Sequence, residues 1–304
     1  MGLRTARFAH TIRAMAGQTL SQIRSLLAAA GLVPRRRYGQ NFLIDLNLMR
    51  KLVAAAEIRP EDVILEVGAG TGSLTELLLA AAPRVVAVEI DRGLLALLRE
   101  RLGNHPRLTL VQADILASKH EINPLVTRVL AERQPQGPGG YKLVANLPYQ
   151  VATPLLMELL YSSPTLERLT CTIQKEVAER LVAKPRTGEY GPVSVVCQSL
   201  ATIELIAILP PAAFWPRPKV ESIMLTIRPF PPEQVEIENV PGFVEFVHRC
   251  FTSRRKMLRR VLRDWDLLDT LAVFHKAGVD PDARPEELPT EAWRAFYRAA
   301  RPTE

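Results

Sequence analysis

The spacing of hydrophobic positions changes along the chain, and those changes place the elements. Over residues 19–30, Leu20, Ile23, Leu26 and Leu27 recur at helical spacing, and Gly31 stands where a helix-ending residue belongs. This reads as an ordered amphipathic helix. From Val63 onward, short apolar runs alternate with helical stretches. Val63–Val67, Arg84–Glu89, residues 108–111 and residues 142–145 are nearly continuous in apolar character, as strands covered on both faces should be. Residues 75–81, 94–102 and 153–160 carry helical periodicity between them. Strands alternating with helices predict a doubly wound α/β sheet. Residues 133–140 (RQPQGPGG) read as a loop, and residues 167–174 and 223–228 as two more strands. The Pro-rich stretch 228–242 looks like a linker. After it the pattern is helical only, over 243–265, 267–277 and Thr290–Ala300.

Composition narrows the class. The chain has 304 residues, 47% hydrophobic and 23% charged, which excludes wholesale disorder and fibrous structure. No apolar run approaches the length of a membrane-spanning helix. The three cysteines, Cys171, Cys197 and Cys250, are scattered and form no C-x-x-C pair. Neither a zinc site nor a disulfide framework is expected, and a reducing compartment is the simple reading.

Charge adds a partner class. The net charge is +7. Residues 1–37 hold seven arginines (Arg4, Arg7, Arg13, Arg24, Arg35, Arg36 and Arg37) and no acid, so the rest of the chain is neutral. A second acid-free basic run spans 249–263, with Arg249, Arg254, Arg255, Lys256, Arg259, Arg260 and Arg263. Such segments fit a polyanionic partner, nucleic acid before membrane, or equally a solvated helix face. The leader shares its composition with transit peptides, while its helical spacing argues for order, and Met15 is an alternative start.

The chemistry concentrates at strand ends. In residues 63–78 (VILEVGAGTGSLTELL), a strand is followed by Gly68, Gly70 and Gly72 and then a helix. Glycines there let backbone amides approach a ligand at a helix N-terminus. The spacing is G-x-G-x-G rather than the G-x-G-x-x-G of dinucleotide binders. The acid Glu66, two residues before the first glycine, points to S-adenosylmethionine, whose amino-acid end carries an ammonium. Glu89 closes the next strand, 21 residues after Gly68, where an acid can hold ribose hydroxyls. Asp114 closes the third strand, where a carboxylate can accept from the adenine amino group. The fourth strand ends in Asn146-Leu147-Pro148-Tyr149, the [DN]-P-P-[YFW] pattern of enzymes that methylate exocyclic amines. Adenine N6 is a poor nucleophile because its lone pair is delocalised into the ring. The Asn146 oxygen and the Leu147 carbonyl can accept from that amine and steer the lone pair. Pro148 stiffens the turn, and Tyr149 offers a face on which an extruded base stacks. Without the other motifs, these residues read equally as a tight turn and a core Tyr.

Taken together, Gly39-Gln40-Asn41-Phe42-Leu43, EVGAGTG, VEID, QADIL, ANLPY, QKEVAERL and FWPRPKVES run in one order through nearly the whole chain. The set resembles the 16S ribosomal RNA adenine N6,N6-dimethyltransferase family. The resemblance implies a class I S-adenosylmethionine-dependent methyltransferase domain with a small all-helical C-terminal domain. On this chain it divides residues 1–36 as a basic leader, 37–230 as the catalytic domain and 242–304 as a helical rRNA-binding domain. It implies cofactor contacts at Asn41, Leu43, Gly68, Glu89, Asp114 and Asn146, and catalytic roles for Asn146, Leu147, Pro148, Tyr149 and Phe214, the last an aromatic that encloses the target base. Arg254, Arg255, Lys256, Arg259 and Arg260 resemble the segment that meets rRNA. The implied reaction dimethylates two adjacent adenines in the 3′-terminal hairpin loop of 16S rRNA on the immature 30S subunit. A cytoplasmic monomer without a metal is expected.

Two alternatives remain. One is the macrolide-resistance type of enzyme, which acts on one adenine of 23S rRNA; Leu147 and the complete QKEVAERL segment favour the 16S enzyme over it. The other is a non-catalytic organellar transcription or assembly factor on the same fold, with the leader as a transit peptide; the intact Asn146–Tyr149 turn argues against it.

Overall fold

A computed structural model describes residues 17–161, 164–263, 265 and 270–300. Residues 1–16 of the leader, including Arg4, Arg7, Arg13 and Met15, lie outside the described residues. So do residues 266–269, at the start of the helix expected over 267–277.

Seven strands form one sheet: β1 (Val63–Val67), β2 (Arg84–Glu89), β3 (Leu108–Gln112), β4 (Tyr141–Asn146), β5 (Leu166–Gln174), β6 (Ala201–Leu209) and β7 (Ser222–Pro229). Their spatial order is β3-β2-β1-β4-β5-β7-β6. β1 pairs in parallel with both β2 and β4, and β4 in parallel with β5. β7 runs antiparallel against β5. The central runs in β1, β2 and β4 are buried on both faces because helices flank the sheet, whereas β3, at the edge, is only half-buried over Leu108–Leu110. Helices Ser73–Ala81, Arg92–Leu102 and Ala152–Leu159 provide the crossovers anticipated from periodicity. β6 was not anticipated. Its sequence, ATIELIAIL, exposes Leu205 and Ile208, so its burial does not alternate in register.

The helix expected before the sheet spans Leu20–Ala29. Thr19 caps it in a reciprocal pair with Gln22, and Gly31 follows at φ +64°. Ile23 and Leu27 pack against Leu94 and Leu97 of the helix Arg92–Leu102. Before the helix, buried Gln18 reaches the glycine turn. Its N–H donates to Ser73 Oγ at 2.7 Å and its Nε2 to the Thr71 carbonyl at 2.9 Å.

Contacts divide the chain into two compact units: residues 1–175 with 204–228, and residues 176–203 with 229–304. Residues 176–203 therefore group with the C-terminal helices, whereas the Pro-rich stretch alone marked the division in sequence. The second unit holds helices Lys175–Leu181, Pro192–Leu200, Val240–Phe251, Leu258–Leu262, Thr270–Ala277 and Thr290–Ala300. Its core is aromatic. Phe246 meets Trp265, Trp293, Phe296 and Tyr297 edge-on with centroids 5.4–6.2 Å apart.

The continuous helix expected over 243–265 is corrected to two helices separated by a turn at 252–257. The Arg254 guanidinium draws the chain into that turn, donating to the carbonyls of Thr187 and Gly188 at 2.9 Å each and to Glu286 at 2.5 Å. The second helix then finds acceptors for its early N–H groups elsewhere. Leu258 N–H donates to the Ala283 carbonyl, and Arg259 N–H to the Pro281 carbonyl.

Candidate active site

The parallel strands end on one side of the sheet, and there the functional segments meet. After β1 the chain turns sharply through Gly68 and Gly70, at φ +76° and +61°. A Cβ on Gly70 would lie 2.9 Å from a Phe42 ring carbon, and one on Gly68 would lie 3.1 Å from the Pro148 ring. Only glycine satisfies both the left-handed backbone and the close approach. Helix Ser73–Ala81 starts directly after the turn, so its positive end faces the same side.

Beside this turn lies a cleft of about 260 Å³. Asn41, Gly68, Glu89, Asp114, Asn146, Leu147, Pro148 and Tyr149 all line it. Motifs drawn from widely separated parts of the chain thus converge on one space. Arg37, Tyr38, Gln40 and Ile90 also line it. No spacing rule pointed to those four, although Gln40 and Ile90 belong to the GQNFL and VEID motifs and Arg37 and Tyr38 directly precede the first of them.

Glu89 is 4% exposed. Its Oε2 accepts from Gly70 N–H and its Oε1 from Asp91 N–H, both at 2.8 Å. Burial raises its pKa against the opposing effect of these bonds. Each carboxylate oxygen keeps a further lone pair for a ligand hydroxyl. Asp91 caps the helix Arg92–Leu102 and pairs with Arg35 at 3.3 Å, tying the segment before GQNFL to this wall. Asp114 is exposed, and its Oδ1 accepts from Leu116 N–H at 3.1 Å.

Glu66 sits elsewhere. It is 1% exposed and lines a side pocket of about 40 Å³ together with Leu43, Gly68 and Asn146. Burial pushes its pKa up to about 8, with the Glu89 charge adding to the rise, although Thr75 donates to it at 2.7 Å. Leu43 is therefore on the side pocket and not on the main cleft. Phe214 reaches neither. It is 3% exposed, packs in the main core, and faces Leu43 in a short antiparallel pair. The register that pairs Leu43 with Phe214 turns both inward, and puts Phe42 beside Trp215, stacked at 6.3 Å.

Asn146 is held at both ends of its amide. Its Nδ2 donates to the Asn41 carbonyl at 2.9 Å, and its Oδ1 accepts from Thr172 Oγ1 at 2.5 Å. The Tyr149 hydroxyl bonds buried Ser222 Oγ at 2.8 Å. Thr172 and Ser222 were missed in the sequence because their partners are distant in the chain.

In the C-terminal unit, the five basic residues divide. Arg254 is spent on the turn, and Arg259 pairs with Asp282 at 2.6 Å. Arg255, Lys256 and Arg260 are exposed and have no carboxylate partner among the described residues. No group of His, Cys, Asp or Glu among the described residues is arranged to hold a metal ion. No helix among them is long and apolar enough to cross a membrane.

A sheet in this strand order, with a glycine turn after its central first strand and acids closing the next two, defines a class I methyltransferase fold followed by a helical part. The chain belongs to the ribosomal RNA adenine dimethylase family, whose pattern matches residues 32–300. It is 39% identical over 286 residues to ribosomal RNA small subunit methyltransferase A of Moorella thermoacetica, covering 93% of this chain and 96% of that protein. The protein of the same name from Synechococcus elongatus is 39% identical over 266 residues, covering 85% and 92%. Among solved structures, a dimethyladenosine transferase from Plasmodium falciparum has the same fold, with a TM-score of 0.69 at 20% identity over 84% of this chain and 95% of that one. The 23S rRNA methyltransferase ErmE matches with a TM-score of 0.61 at 28% identity, covering 86% and 99%.

Proposed function

We propose that this chain binds S-adenosylmethionine in the cleft and dimethylates N6 of two adjacent adenines in the 3′-terminal hairpin loop of 16S rRNA, acting as a cytoplasmic monomer on the immature 30S subunit. The observation that carries this reading is the convergence of the glycine turn, Glu89, Asp114 and the Asn146–Tyr149 turn on one cleft. The residues present fit that cofactor. A Cβ at Gly70 would displace Phe42 from the wall, so the turn is kept bare where backbone must approach a ligand. Glu89 offers two oxygens suited to a pair of hydroxyls, and Asp114 an acceptor suited to an exocyclic amine. Gly68, Asn41 and Asn146 would hold the amino-acid end, with Leu43 and Glu66 beside it on the side pocket. When bound, the cofactor supplies an electrophilic methyl group on a sulfonium.

The protein's own work is then positioning. Asn146 Oδ1 and the Leu147 carbonyl accept from the target amine and draw its lone pair out of conjugation. Pro148 packs against Gly68 and keeps the turn in one shape. Tyr149, anchored by Ser222, presents a ring to the extruded base. Among the described residues no histidine lies on the cleft wall, and none is needed for a donor this reactive. Arg255, Lys256 and Arg260 suit rRNA phosphates, because no carboxylate among the described residues neutralises them. Relatives named small subunit methyltransferase A at 36–39% identity support the 16S target over the 23S target of ErmE.

The test is transfer of labelled methyl to undermethylated small subunits, with mass mapping of the rRNA. Two dimethylated adenines in the 16S 3′ hairpin are expected, and modification of 23S rRNA alone would overturn the assignment. Asn146→Ala is expected to slow single-turnover transfer by about 10²–10³-fold, as does loss of a well-placed electrostatic stabiliser. Binding to the subunit should persist.

A further inference from the structure

We infer that Thr172 is a positioning residue for methyl transfer, acting through Asn146; this rests on the proposed role of that asparagine. Thr172 lies on β5 and is fully buried. It is the direct register partner of Asn146 across the β4–β5 pair. Its carbonyl accepts from Leu147 N–H at 3.2 Å, and its hydroxyl donates to Asn146 Oδ1 at 2.5 Å. Backbone and side chain of one residue therefore hold both the strand end and the amide that projects from it.

The two anchors of the Asn146 amide do different work. The Asn41 carbonyl can only accept, so it fixes which end of the amide is nitrogen. A hydroxyl both donates and accepts, so Thr172 does not select that end. What it sets is the rotation of the amide plane. With one Oδ1 lone pair committed to Thr172, the other is directed, and that is the lone pair available to a target amine. Donation by the buried hydroxyl also polarises the amide carbonyl. Thr172 suits the task because a β-branched side chain on a strand has restricted rotation about its first torsion. Its neighbour two positions earlier, Thr170, shows the alternative use of a buried strand hydroxyl. Thr170 bonds Thr226 at 3.3 Å, away from the functional turn.

Thr172→Val keeps the branched shape and removes the hydroxyl, while Thr172→Ser keeps the hydroxyl. Each is assayed by single-turnover methyl transfer to undermethylated small subunits, by calorimetry with S-adenosylmethionine and by thermal melting. Thr172→Val should slow transfer by about tenfold, the effect of one buried hydrogen bond expressed in the transition state. Cofactor affinity should fall by less than the rate does, since of the groups that would hold the cofactor only Asn146 is loosened while Asn41, Gly68 and Glu89 are untouched. Thr172→Ser should restore the rate. In an Asn146→Ala background, Thr172→Val should add no further slowing, because nothing remains for it to orient. A wild-type rate for Thr172→Val overturns the inference. So does equal slowing in the valine and serine variants with a lowered melting temperature, which marks a packing role. The Asn146→Ala control separates the two levels. If that variant keeps its rate, the reading of the turn itself falls; if it is slow while Thr172→Val is not, only the positioning role falls.

Discussion

Replacing Glu66 by glutamine should make this protein more stable at neutral pH, and the gain should grow with pH. Glu66 is 1% exposed and has one side-chain partner, the Thr75 hydroxyl at 2.7 Å. Its pKa in the folded protein is pushed up to about 8, from 4.5 in an unfolded chain. Between those values the unfolded carboxyl releases its proton while the folded one retains it. The unfolded state is thus favoured by about 1.4 kcal/mol for each pH unit above 4.5. The stability that the protonated group leaves intact at low pH is lost steadily towards pH 8, and the loss then levels off. At pH 7 the accumulated penalty is about 3 kcal/mol. A glutamine at this position would remain neutral throughout and still accept from Thr75. The assay is urea denaturation of wild type and Glu66→Gln from pH 4 to pH 9. The two should be nearly equal at pH 4 and diverge by about 3 kcal/mol at pH 7. A stability difference that does not vary with pH would refute the reasoning and return Glu66 to an ordinary ionised state.

Glu89→Ala should weaken S-adenosylmethionine binding at least tenfold, measured by calorimetry, since a charge-assisted hydrogen bond contributes on the order of 1.5–3 kcal/mol. Unchanged affinity would remove Glu89 from the cofactor site. Reversing Arg255, Lys256 and Arg260 to Glu should lower affinity for the small subunit and flatten its salt dependence while cofactor affinity stays constant. Normal subunit binding at moderate salt would make these cations a solvated surface. Arg254→Ala should act differently, lowering the melting temperature by removing the anchor of the turn, with a loss of about 1–3 kcal/mol.

Much of the catalytic unit was legible in the chain because its central strands are buried on both faces. Val63–Val67 and Arg84–Glu89 were read with their observed bounds, since continuous burial imposes a continuous apolar run. β6 escaped because its burial is neither continuous nor alternating, so neither strand pattern marks it. The break at 252–257 escaped for another reason. Local spacing there is compatible with a helix, and what ends it is the reach of Arg254 to Thr187, Gly188 and Glu286.

The same division runs through the site. Gly68, Glu89, Asp114 and Asn146 stand at strand ends, where the alternation of strand and helix announces them, and a parallel sheet carries all strand ends to one side. Sequence by itself determined these residues and the chemistry their types allow. Tertiary structure decided how each is used. It turned Leu43 and Phe214 inward through their mutual pairing, and it drew Glu66 out of the main cleft to a buried side pocket, where burial shifts its titration. It also gave Asn146 its two anchors, Asn41 and Thr172, from distant segments. The reason is physical. Which faces a segment buries is written in its own periodicity, whereas a hydrogen bond between remote residues depends on the register and packing of the whole sheet.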